Sequence, residues 1–370
     1  MQWETMDNSK LSIYRDNYLL QMSSFINFTY IYFDRRLTMK FLVICDYREN
    51  FKNYSCSDSS SSYNDHANKK NIQEIISGIR NLQYECEYFG GIPELVHAVE
   101  YNERFEDCIF LNFTDGMDQN YSRIQAPALL DILNVPYSGS GVFPSALMNN
   151  KHFCKQALSN SFIDMPKSCI VNAQIPLSIK ELKNWKTPLF VKPNCEGSSL
   201  GISQSSVCHS IPDLEKETQK LLKDFEELIV EEYVTGVDVT NYLIGNGSDY
   251  PINEIVSAEL FDKSPFAIYG SIEKQNKLRT LYYNDEFLPK DIIRKMQQHS
   301  IFIAQTIGVH DICRIDYRVN MLDKKIYFIE VNSAPRFSST SEIGFIAKKQ
   351  GITFDDMLKI YIDTVLKRVN

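Results

Sequence analysis

Two short runs near the C-terminal end combine charged side chains with strand-like spacing. They read Cys-Arg-Ile-Asp-Tyr at residues 313–317 and Ile-Tyr-Phe-Ile-Glu-Val-Asn at residues 326–332, with a polar, lysine-bearing turn between them. β-Branched and aromatic residues on both sides of a short polar turn predict a β-hairpin. Because alternate side chains of a strand share a face, each predicted strand presents its charged and amide side chains on one side.

The predicted hairpin brings an oxygen-rich set of side chains together. Asp316 of the first strand converges with Glu330 and Asn332 of the second if the faces of the two strands coincide. Carboxylate and amide oxygens are the ligands that a hard cation such as Mg²⁺ prefers, usually beside phosphates and water. Arg314 adds a fixed positive charge on the same face. The alternative is a surface hairpin whose outer face is charged without binding an ion.

A second run has the composition of a phosphate-binding loop between two strands. It reads Val-Lys-Pro-Asn-Cys-Glu-Gly-Ser-Ser-Leu-Gly at residues 191–201. Small residues let backbone N–H groups approach phosphate oxygens closely. Ser198 and Ser199 add hydroxyl donors, and Lys192 adds a point charge. No Gly-Lys-Ser/Thr sequence closes the run, so it is not a P-loop, and an ordinary hairpin turn is the alternative.

Together the two runs resemble the D-alanine–D-alanine ligase group of the ATP-grasp ligases. The central motif of that group reads Val-Lys-Pro-x-x-x-Gly-Ser-Ser-x-Gly, and its metal motif reads Arg-x-Asp, then Glu-x-Asn-x-x-Pro-Gly. The order and spacing match over residues 130–360. The resemblance implies a mixed α/β (α+β) chain with an ATP-grasp fold and an N-terminal doubly wound parallel-sheet domain. Alternating strand and helix patterns in the first third of the chain favour the same doubly wound domain.

The elements that must position these runs divide the chain into four segments. We expect an N-terminal extension over residues 1–38, an α/β domain over 39–140, a central ATP-grasp lid domain over 141–235 and a C-terminal ATP-grasp domain with the metal site over 236–370. A chain of 370 residues is long enough for two or three domains. The extension has no clean hydrophobic period and no secretory cleavage site, so it is expected to be dispensable.

Composition argues against several classes of function. The net charge of −8, without a basic block, argues against nucleic-acid and membrane-surface binding. No apolar run approaches the ~20 residues that span a bilayer. The nine cysteines include no Cys-x-x-Cys pair and are interpreted as reduced thiols, which favours a cytoplasmic protein.

The resemblance assigns ATP-binding roles to residues outside the two runs. A lysine of this family at the position of Lys151 contacts an ATP phosphate, although a solvated lysine on a predicted helix over residues 145–158 is the alternative. Glu231 and Tyr233 are expected in the adenine and ribose region. Asp238 is expected at the ribose hydroxyls, as acidic residues are in dinucleotide-binding folds. The implied cofactors are ATP and two Mg²⁺ ions, for which Mn²⁺ can substitute.

The resemblance also implies three catalytic side chains. A partly mobile loop is expected over residues 262–283, in which Lys274, with Lys277 as its rival, reaches the phosphates and closes over the reaction. Such lids exclude water from reactive intermediates. Arg314, together with a backbone N–H, is expected to stabilise a tetrahedral oxyanion. Ser198 is expected to act from the glycine-bearing loop.

The amino-acid half of the site departs from the family pattern. Arg336 stands where a glycine follows the proline, and Glu342 stands where leucine is usual. Ser341 matches the residue that binds the carboxylate of the second substrate. Unpaired buried charges are costly, so Arg336 and Glu342 are expected to pair with each other or with a polar or charged second substrate. The alternative is that both turn to solvent and pair there.

The implied activity is an ATP-dependent carboxylate–amine ligase that joins amino acids or small peptides through an acyl phosphate. Two alternatives stay open: a genuine D-alanine–D-alanine ligase of peptidoglycan synthesis, and a non-catalytic ATP-binding protein. The expected partners are ATP and small amino-acid or peptide substrates, with a homodimer as one candidate assembly.

Overall fold

The apolar run after residue 39 forms the centre of a parallel three-stranded sheet. The computed structural model describes residues 39–51, 66–117, 121–197, 199–264, 266–268, 270 and 278–369. Its first part contains β1 (Lys40–Ile44), α1 (Lys69–Asn81), β2 (Glu85–Gly90), α2 (Ile92–Glu100), β3 (Cys108–Asn112) and α3 (Gln125–Leu133). The strand order is β2-β1-β3, and both pairings are parallel.

Helices cover both faces of this sheet, which confirms the predicted doubly wound α/β arrangement. Alternate residues of β1 point to opposite faces. Phe41 on one face belongs to the apolar cluster that contains Ile76 of α1. Leu42 on the other face packs in a second cluster with Leu95 of α2 and Leu130 of α3. The continuous apolar sequence of β1 is explained by this burial on both sides.

Four more helices and the strands of a second sheet follow. The elements are α4 (Val142–Asn149), α5 (Lys151–Ala157), β4 (Ser168–Asn172), α6 (Ile179–Leu182), β5 (Leu189–Pro193), β6 (Val207–Cys208), α7 (Ile211–Leu221) and β7 (Glu227–Glu232). The strands form an antiparallel sheet in the order β4-β7-β5-β6. Val191 and Val230 share an apolar cluster with Leu214, so α7 covers one face of this sheet.

A third sheet contains the predicted hairpin. Its part of the chain consists of β8 (Val237–Asn246), β9 (Asp249–Leu260), β10 (Arg279–Tyr283), α8 (Lys290–Ile307), β11 (Ile312–Asn320), β12 (Lys325–Asn332), α9 (Glu342–Gln350) and α10 (Phe354–Val369). The antiparallel order is β10-β9-β8-β11-β12. Ile315 packs with Met296 of α8 on one face. On the other face, Tyr242 shares a cluster with Ile76 of α1 and Tyr361 of α10, so one apolar core joins the first and third sheets.

Short 3₁₀ turns complete the described structure, at Arg48–Asn50, Ser122–Ile124, Gln204–Ser206 and Asn284–Glu286. No helix in the described part of the chain is long and apolar enough to cross a membrane. Several predicted features lie outside the described residues: the extension over residues 1–38, Ser198, Lys274 and Lys277.

Two predicted elements were wrong in extent. The helix expected over residues 145–158 is broken at Asn150, whose extended backbone ends α4 and whose side-chain oxygen accepts the N–H of Phe153 at 2.9 Å to begin α5. The loop expected over residues 262–283 ends in β10, which pairs with β9. Leu281 of β10 packs against the core between the first and third sheets, and this burial fixes the strand.

Deleting residues 1–38 should change the melting temperature by less than about 2 °C. A change of 1 kcal/mol in the free energy of unfolding shifts the melting temperature of a large domain by roughly 2–4 °C, and we expect a smaller change than that. The reason is that α1, α2 and α3 already cover both faces of the first sheet. Differential scanning fluorimetry of the full chain and of a chain starting at Met39 measures the shift, and ADP release checks activity. Loss of soluble protein on truncation would contradict the expectation.

Candidate active site

The β11–β12 hairpin brings the predicted oxygen ligands to one face. Asp316 lies opposite Glu330, and Arg314 lies opposite Asn332, in the antiparallel register. The Nδ2 of Asn332 donates to Oδ2 of Asp316 at 3.1 Å. All four side chains line one large cavity. The structure therefore places the three predicted metal ligands and the predicted arginine together.

Burial on the opposite face explains why the hairpin adopts this register. Residues of β11 alternate between buried and half-buried. Ile315 and Tyr317 are fully buried against α8, and Val331 of β12 lies in the same apolar cluster. A shift by one residue would turn these apolar side chains to the cavity and the charged ones into the core. The core thus orients Asp316 and Glu330 toward the cavity.

Opposed charges balance the two carboxylates. Arg314 donates to both oxygens of Asp316, at 3.0 and 2.8 Å, and the hydroxyl of Thr240 donates to Oδ1 at 3.1 Å. Burial raises the pKa of Asp316, and Arg314 opposes that rise. Burial also acts to raise the pKa of Glu330, but Lys151 and Lys192 outweigh it and hold this pKa at about 2. Glu330 is therefore ionised at any physiological pH.

The hairpin donors suit a magnesium ion that is shared with a phosphate ligand. Asp316, Glu330 and Asn332 supply two carboxylates and an amide oxygen to this face. Among the described residues, no group of three or more His, Cys, Asp and Glu side chains is placed to hold a metal ion. Magnesium usually binds proteins through one or two carboxylates and takes its other ligands from substrate phosphates and water. The donor chemistry of the hairpin therefore fits Mg²⁺ bound together with a nucleotide.

Three lysines lie beside Glu330 and Glu231; Lys151 and Lys192 line the cavity, and Lys155 is buried behind them. Lys151 Nζ lies 3.6 Å from Glu330 Oε2. Lys192 Nζ lies 3.1 Å from Glu231 Oε2, and Lys155 contacts the other oxygen of Glu231. Burial lowers the pKa of Lys192 to about 8. The Glu231 carboxylate is held between two lysine ammonium groups, and its place in the adenine and ribose region stays a prediction.

The sequence reasoning missed Lys155, which is only 2% exposed. It lies four residues after Lys151, so both side chains project from the same face of α5. That spacing was the available signal, but a lysine on a helix usually faces solvent. Its partner Glu231 lies in β7. This strand is distant from α5 in sequence, so the sequence alone does not reveal the pair.

The glycine-bearing loop after β5 is held by polar contacts at its base. Lys151 Nζ donates to the carbonyl of Asn194 at 3.2 Å and to that of Glu196. Glu227 accepts from the side-chain amides of Asn194 at 2.6 Å and of Asn172 at 3.1 Å. Sequence reasoning missed Glu227 as well. These contacts fix where the loop leaves β5.

The structure describes one of the two predicted serine donors of the glycine-bearing loop. Ser199 lines the cavity and adopts φ of 61°, a left-handed conformation that non-glycine residues visit mainly in turns. Its neighbour Ser198 lies outside the described residues. The described part of the loop therefore presents Ser199 and Gly197 to the cavity.

Tyr233 and Asp238 lie together on another wall of the cavity, next to Arg318. Arg318 Nε lies 3.4 Å from Oδ1 of Asp238, and its guanidinium carbon lies 5.1 Å from the centre of the Tyr233 ring. The Tyr233 hydroxyl donates to the carbonyl of Ala267 at 3.2 Å. An aromatic ring beside an acid has the chemistry to contact a base and its ribose.

The cavity wall between α1 and α9 contains the predicted substrate residues. Glu342 is paired with Arg279 and accepts from the Tyr242 hydroxyl at 2.6 Å. Ser341 precedes α9, and its hydroxyl donates to the carbonyl of Ser338 at 2.8 Å. Pairing between Arg336 and Glu342, which the sequence favoured as one arrangement, is wrong. Strand β10 brings Arg279 to Glu342 instead.

All of these walls enclose one cavity of about 860 Å³. This volume lies at the upper end of the range of about 300–1,000 Å³ that is usual for ligand sites. The hairpin, the glycine-bearing loop, the Tyr233 wall and the start of α9 all contribute to its lining. One cavity therefore has room for a nucleotide and for small co-substrates beside its phosphate end.

Known proteins share this combination of sequence and fold. A family profile described as the C-terminal part of D-Ala–D-Ala ligases matches residues 160–363. The D-alanine–D-alanine ligase of Aquifex aeolicus is 32% identical over 239 residues, which cover 63% of this chain and 75% of that protein. The chain belongs to the D-alanine–D-alanine ligase family. The corresponding ligase of Carboxydothermus hydrogenoformans is 30% identical over 242 residues, covering 62% of this chain and 73% of that protein.

Solved structures of the family share the fold. The D-alanine–D-alanine ligase from Bacillus anthracis, complexed with ATP, superposes with a TM-score of 0.67 at 20% identity and covers 89% of this chain and 98% of that one. The VanG D-Ala:D-Ser ligase from Enterococcus faecalis gives a TM-score of 0.67 at 18% identity, covering 88% and 99%. The predicted ATP-grasp fold is confirmed.

Membership in the D-alanine–D-alanine ligase family establishes the class of reaction. The protein is an ATP-dependent ligase that forms a peptide bond, as predicted. Its family uses ATP and a divalent metal ion. The cavity provides lysines for phosphate and oxygen donors for the metal, so the described residues agree with that chemistry.

Proposed function

We propose that this ligase joins amino acids or small peptides through an acyl phosphate, with the phosphate end of ATP at the β11–β12 hairpin. The observation that carries the proposal is the convergence of Asp316, Glu330 and Asn332 with Lys151 and Lys192 in one cavity. Such a set balances the charge of a triphosphate and orients it. Two Mg²⁺ ions held by the three hairpin ligands would supply neutralisation of the phosphate charge.

The reaction proceeds in two displacements. A substrate carboxylate oxygen attacks the γ-phosphorus, the bond to the bridging oxygen breaks, and ADP leaves. The amine of the second substrate then attacks the carbonyl carbon of the acyl phosphate, loses a proton and expels inorganic phosphate. Lys151 and Lys192 stabilise the phosphates during the first displacement.

Arg314 is the proposed stabiliser of the oxyanion in the second displacement. It lies on the cavity face of β11, and its paired carboxylate Asp316 orients the guanidinium through two hydrogen bonds. The backbone N–H of Arg336 is the second proposed donor. On the resemblance alone, Lys274 is assigned to closure over the phosphates, and Ser198 is assigned to catalysis and phosphate binding from the glycine-bearing loop. Ser341 is assigned to the second substrate.

The proposed nucleoside subsite is the wall that contains Tyr233, Asp238 and Arg318. The Tyr233 ring borders the base, and Asp238 accepts from the ribose hydroxyls once the nucleotide competes with Arg318. Glu231 is also assigned to the adenine and ribose region; it lines the cavity, and lysines hold both of its oxygens. Ser199 donates to a phosphate.

The four sequence segments are proposed as the functional units: the extension over 1–38, the domain over 39–140, the lid over 141–235 and the metal-site domain over 236–370. A cytoplasmic location and a homodimer are part of the same proposal. The sequence pattern described above supports the four segments and the location.

A true D-alanine–D-alanine ligase is the second candidate, and the names of the curated relatives favour it. The two candidates differ in substrate. The departures at Arg336 and Glu342 favour the broader ligase, because both charged side chains lie in the cavity wall.

The testing experiment is a screen of ADP release by the full chain with ATP and Mg²⁺. Single amino acids and pairs of both chiralities are supplied, and products are identified by mass spectrometry. We expect ADP release that depends on an amino-acid pair and yields an equal amount of dipeptide. Dominant turnover of D-alanine to its dipeptide would establish the second candidate. Mg²⁺-dependent ATP binding without turnover in any mixture would contradict both.

A further inference from the structure

Five arginines line the cavity, and four of them already have a carboxylate partner. The pairs are Arg123 with Asp115 at 2.9 Å, Arg314 with Asp316 at 2.8 Å, Arg318 with Asp238 at 3.4 Å, and Arg279 with Glu342. Arg336 is the exception, since it has no carboxylate within 4.0 Å among the residues that the structure describes. An arginine that lines a ligand cavity and has no carboxylate partner is a candidate site for a bound anion.

The surroundings of Arg336 leave most of its donors available. Its terminal nitrogen donates one long hydrogen bond, 3.3 Å, to the side-chain oxygen of Asn71 on α1. A guanidinium carries five N–H donors, so a neutral amide uses only one of them. Glu74, one turn further along α1, accepts from the backbone N–H of Ser339 at 3.3 Å instead. The side chain is exposed at the cavity wall rather than folded into the core.

The one acid nearby on α9 cannot serve as the counter-charge. Glu342 is held by Arg279 and by the Tyr242 hydroxyl. Burial acts to raise the pKa of Glu342, but Arg279 and Arg314 outweigh it and lower this pKa. Its negative charge is therefore already balanced. Lys348, two turns further along α9, also lines the cavity and has no carboxylate partner among the described residues, so the surplus charge on this wall is positive.

We infer that one of the two amino acids joined by this ligase carries a side-chain carboxylate, which binds the guanidinium of Arg336. A carboxylate matches the forked donors of arginine and forms two parallel hydrogen bonds. The wall between α1 and α9 thereby selects an acidic amino acid over its uncharged amide. This inference rests on the proposed ligase function and adds a substrate class to it.

Matched substrate pairs test the inference directly. The full chain is assayed for dipeptide formation with glutamate against glutamine and with aspartate against asparagine, in both chiralities and in either position. We expect kcat/KM to favour the acid by about 10-fold or more, since a charged hydrogen bond contributes about 1.5–3 kcal/mol and each 1.4 kcal/mol is tenfold. Arg336→Gln should remove this preference while the KM for ATP stays unchanged.

Two further variants separate recognition from folding. Arg336→Glu should disfavour the acid relative to its amide, a reversal that a merely damaged fold would not produce. Arg104→Gln, at an exposed position that does not line the cavity, is the matched control and should keep the preference of the wild type. Thermal melting and ATP binding of each variant verify that the chain is folded.

The outcomes distinguish the inference from the function on which it rests. Turnover of neutral amino acids without a preference for the acid, or a preference that Arg336→Gln leaves intact, overturns the inference and leaves the ligase function standing. If no substrate gives amino-acid-dependent ADP release, the proposed function is overturned. The inference is then overturned as well, because it rests on that function.

Discussion

Glu330→Gln should abolish turnover while leaving the fold intact. The substitution preserves the shape of the side chain but removes the charge that faces Lys151 at 3.6 Å and contributes a metal ligand at the phosphate end. We expect kcat to fall at least about a thousandfold, because loss of metal-assisted charge stabilisation costs several kcal/mol and each 1.36 kcal/mol is tenfold. ADP release measures the loss, and circular dichroism with thermal melting reports on the fold.

The control for this substitution is Glu85→Gln, an exposed strand glutamate that lies 3.7 Å from the ammonium of Lys40. It should leave turnover unchanged. Near-normal ADP release from Glu330→Gln would contradict the placement of the phosphates at the hairpin. If Glu330→Gln fails to fold, Glu330 is needed for stability because it holds the lysines in place. Glu330→Asp is therefore the second variant, since it keeps the charge.

Lys155→Met should lower stability strongly and weaken ATP binding. Lys155 and Glu231 are 2% and 3% exposed, so the substitution leaves one oxygen of a buried carboxylate without its ammonium. Removing one partner of a buried ion pair typically costs about 3–5 kcal/mol. Lys192 then becomes the one lysine that balances Glu231, so its positive charge is less available to the ATP phosphates. Thermal melting and the KM for ATP measure the two effects.

A double variant tests whether Lys155 acts through Glu231. Adding Glu231→Gln removes the stranded charge, so the double variant should melt at a higher temperature than Lys155→Met alone. Lys367→Met is the surface control, because Lys367 and its partner Asp249 are 68% and 70% exposed and such pairs contribute only about 0–1 kcal/mol. A single variant that melts like the wild type, or a double variant less stable than the single, would refute the role of Lys155 as the partner of the buried Glu231 carboxylate.

Local pattern was enough to predict the hairpin and the first domain. The β11–β12 residues alternate apolar with polar, and this period alone places Arg314 and Asp316 on one face. Alternating strand and helix patterns in the first third of the chain predicted a doubly wound sheet. Each of these inferences depends on neighbours in sequence, for which the periods of strands and helices are reliable guides.

Contacts between distant segments could not be predicted in the same way. Arg279 and Glu342 are 63 residues apart, and they meet only because β10 joins the third sheet. Glu227 accepts hydrogen bonds from side-chain amides of β4 and of the loop after β5. The Lys155–Glu231 pair spans 76 residues. Such pairs depend on the order of strands in a sheet, which a single sequence does not reveal.

Helix breaks were a second source of error. Asn150 lies in a run whose composition suits one continuous helix, but its side chain caps α5. Asparagine competes for backbone hydrogen bonds and favours such caps, so the signal was present and outweighed by the surrounding helix-forming residues. The break matters for function because it places Lys151 at the first turn of α5, directly below the glycine-bearing loop.

The most direct test of the central claim follows a carboxylate oxygen through the reaction. The full chain is supplied with ATP, Mg²⁺ and an amino-acid pair identified by the screen, in which the carboxylate of the acid-donating substrate carries ¹⁸O. An acyl phosphate requires that one labelled oxygen leave with inorganic phosphate for each peptide bond formed, since the second displacement breaks the bond between that oxygen and the carbonyl carbon. Phosphate with one ¹⁸O per dipeptide is the predicted result; label in AMP, or unlabelled phosphate beside a labelled dipeptide, would contradict the mechanism.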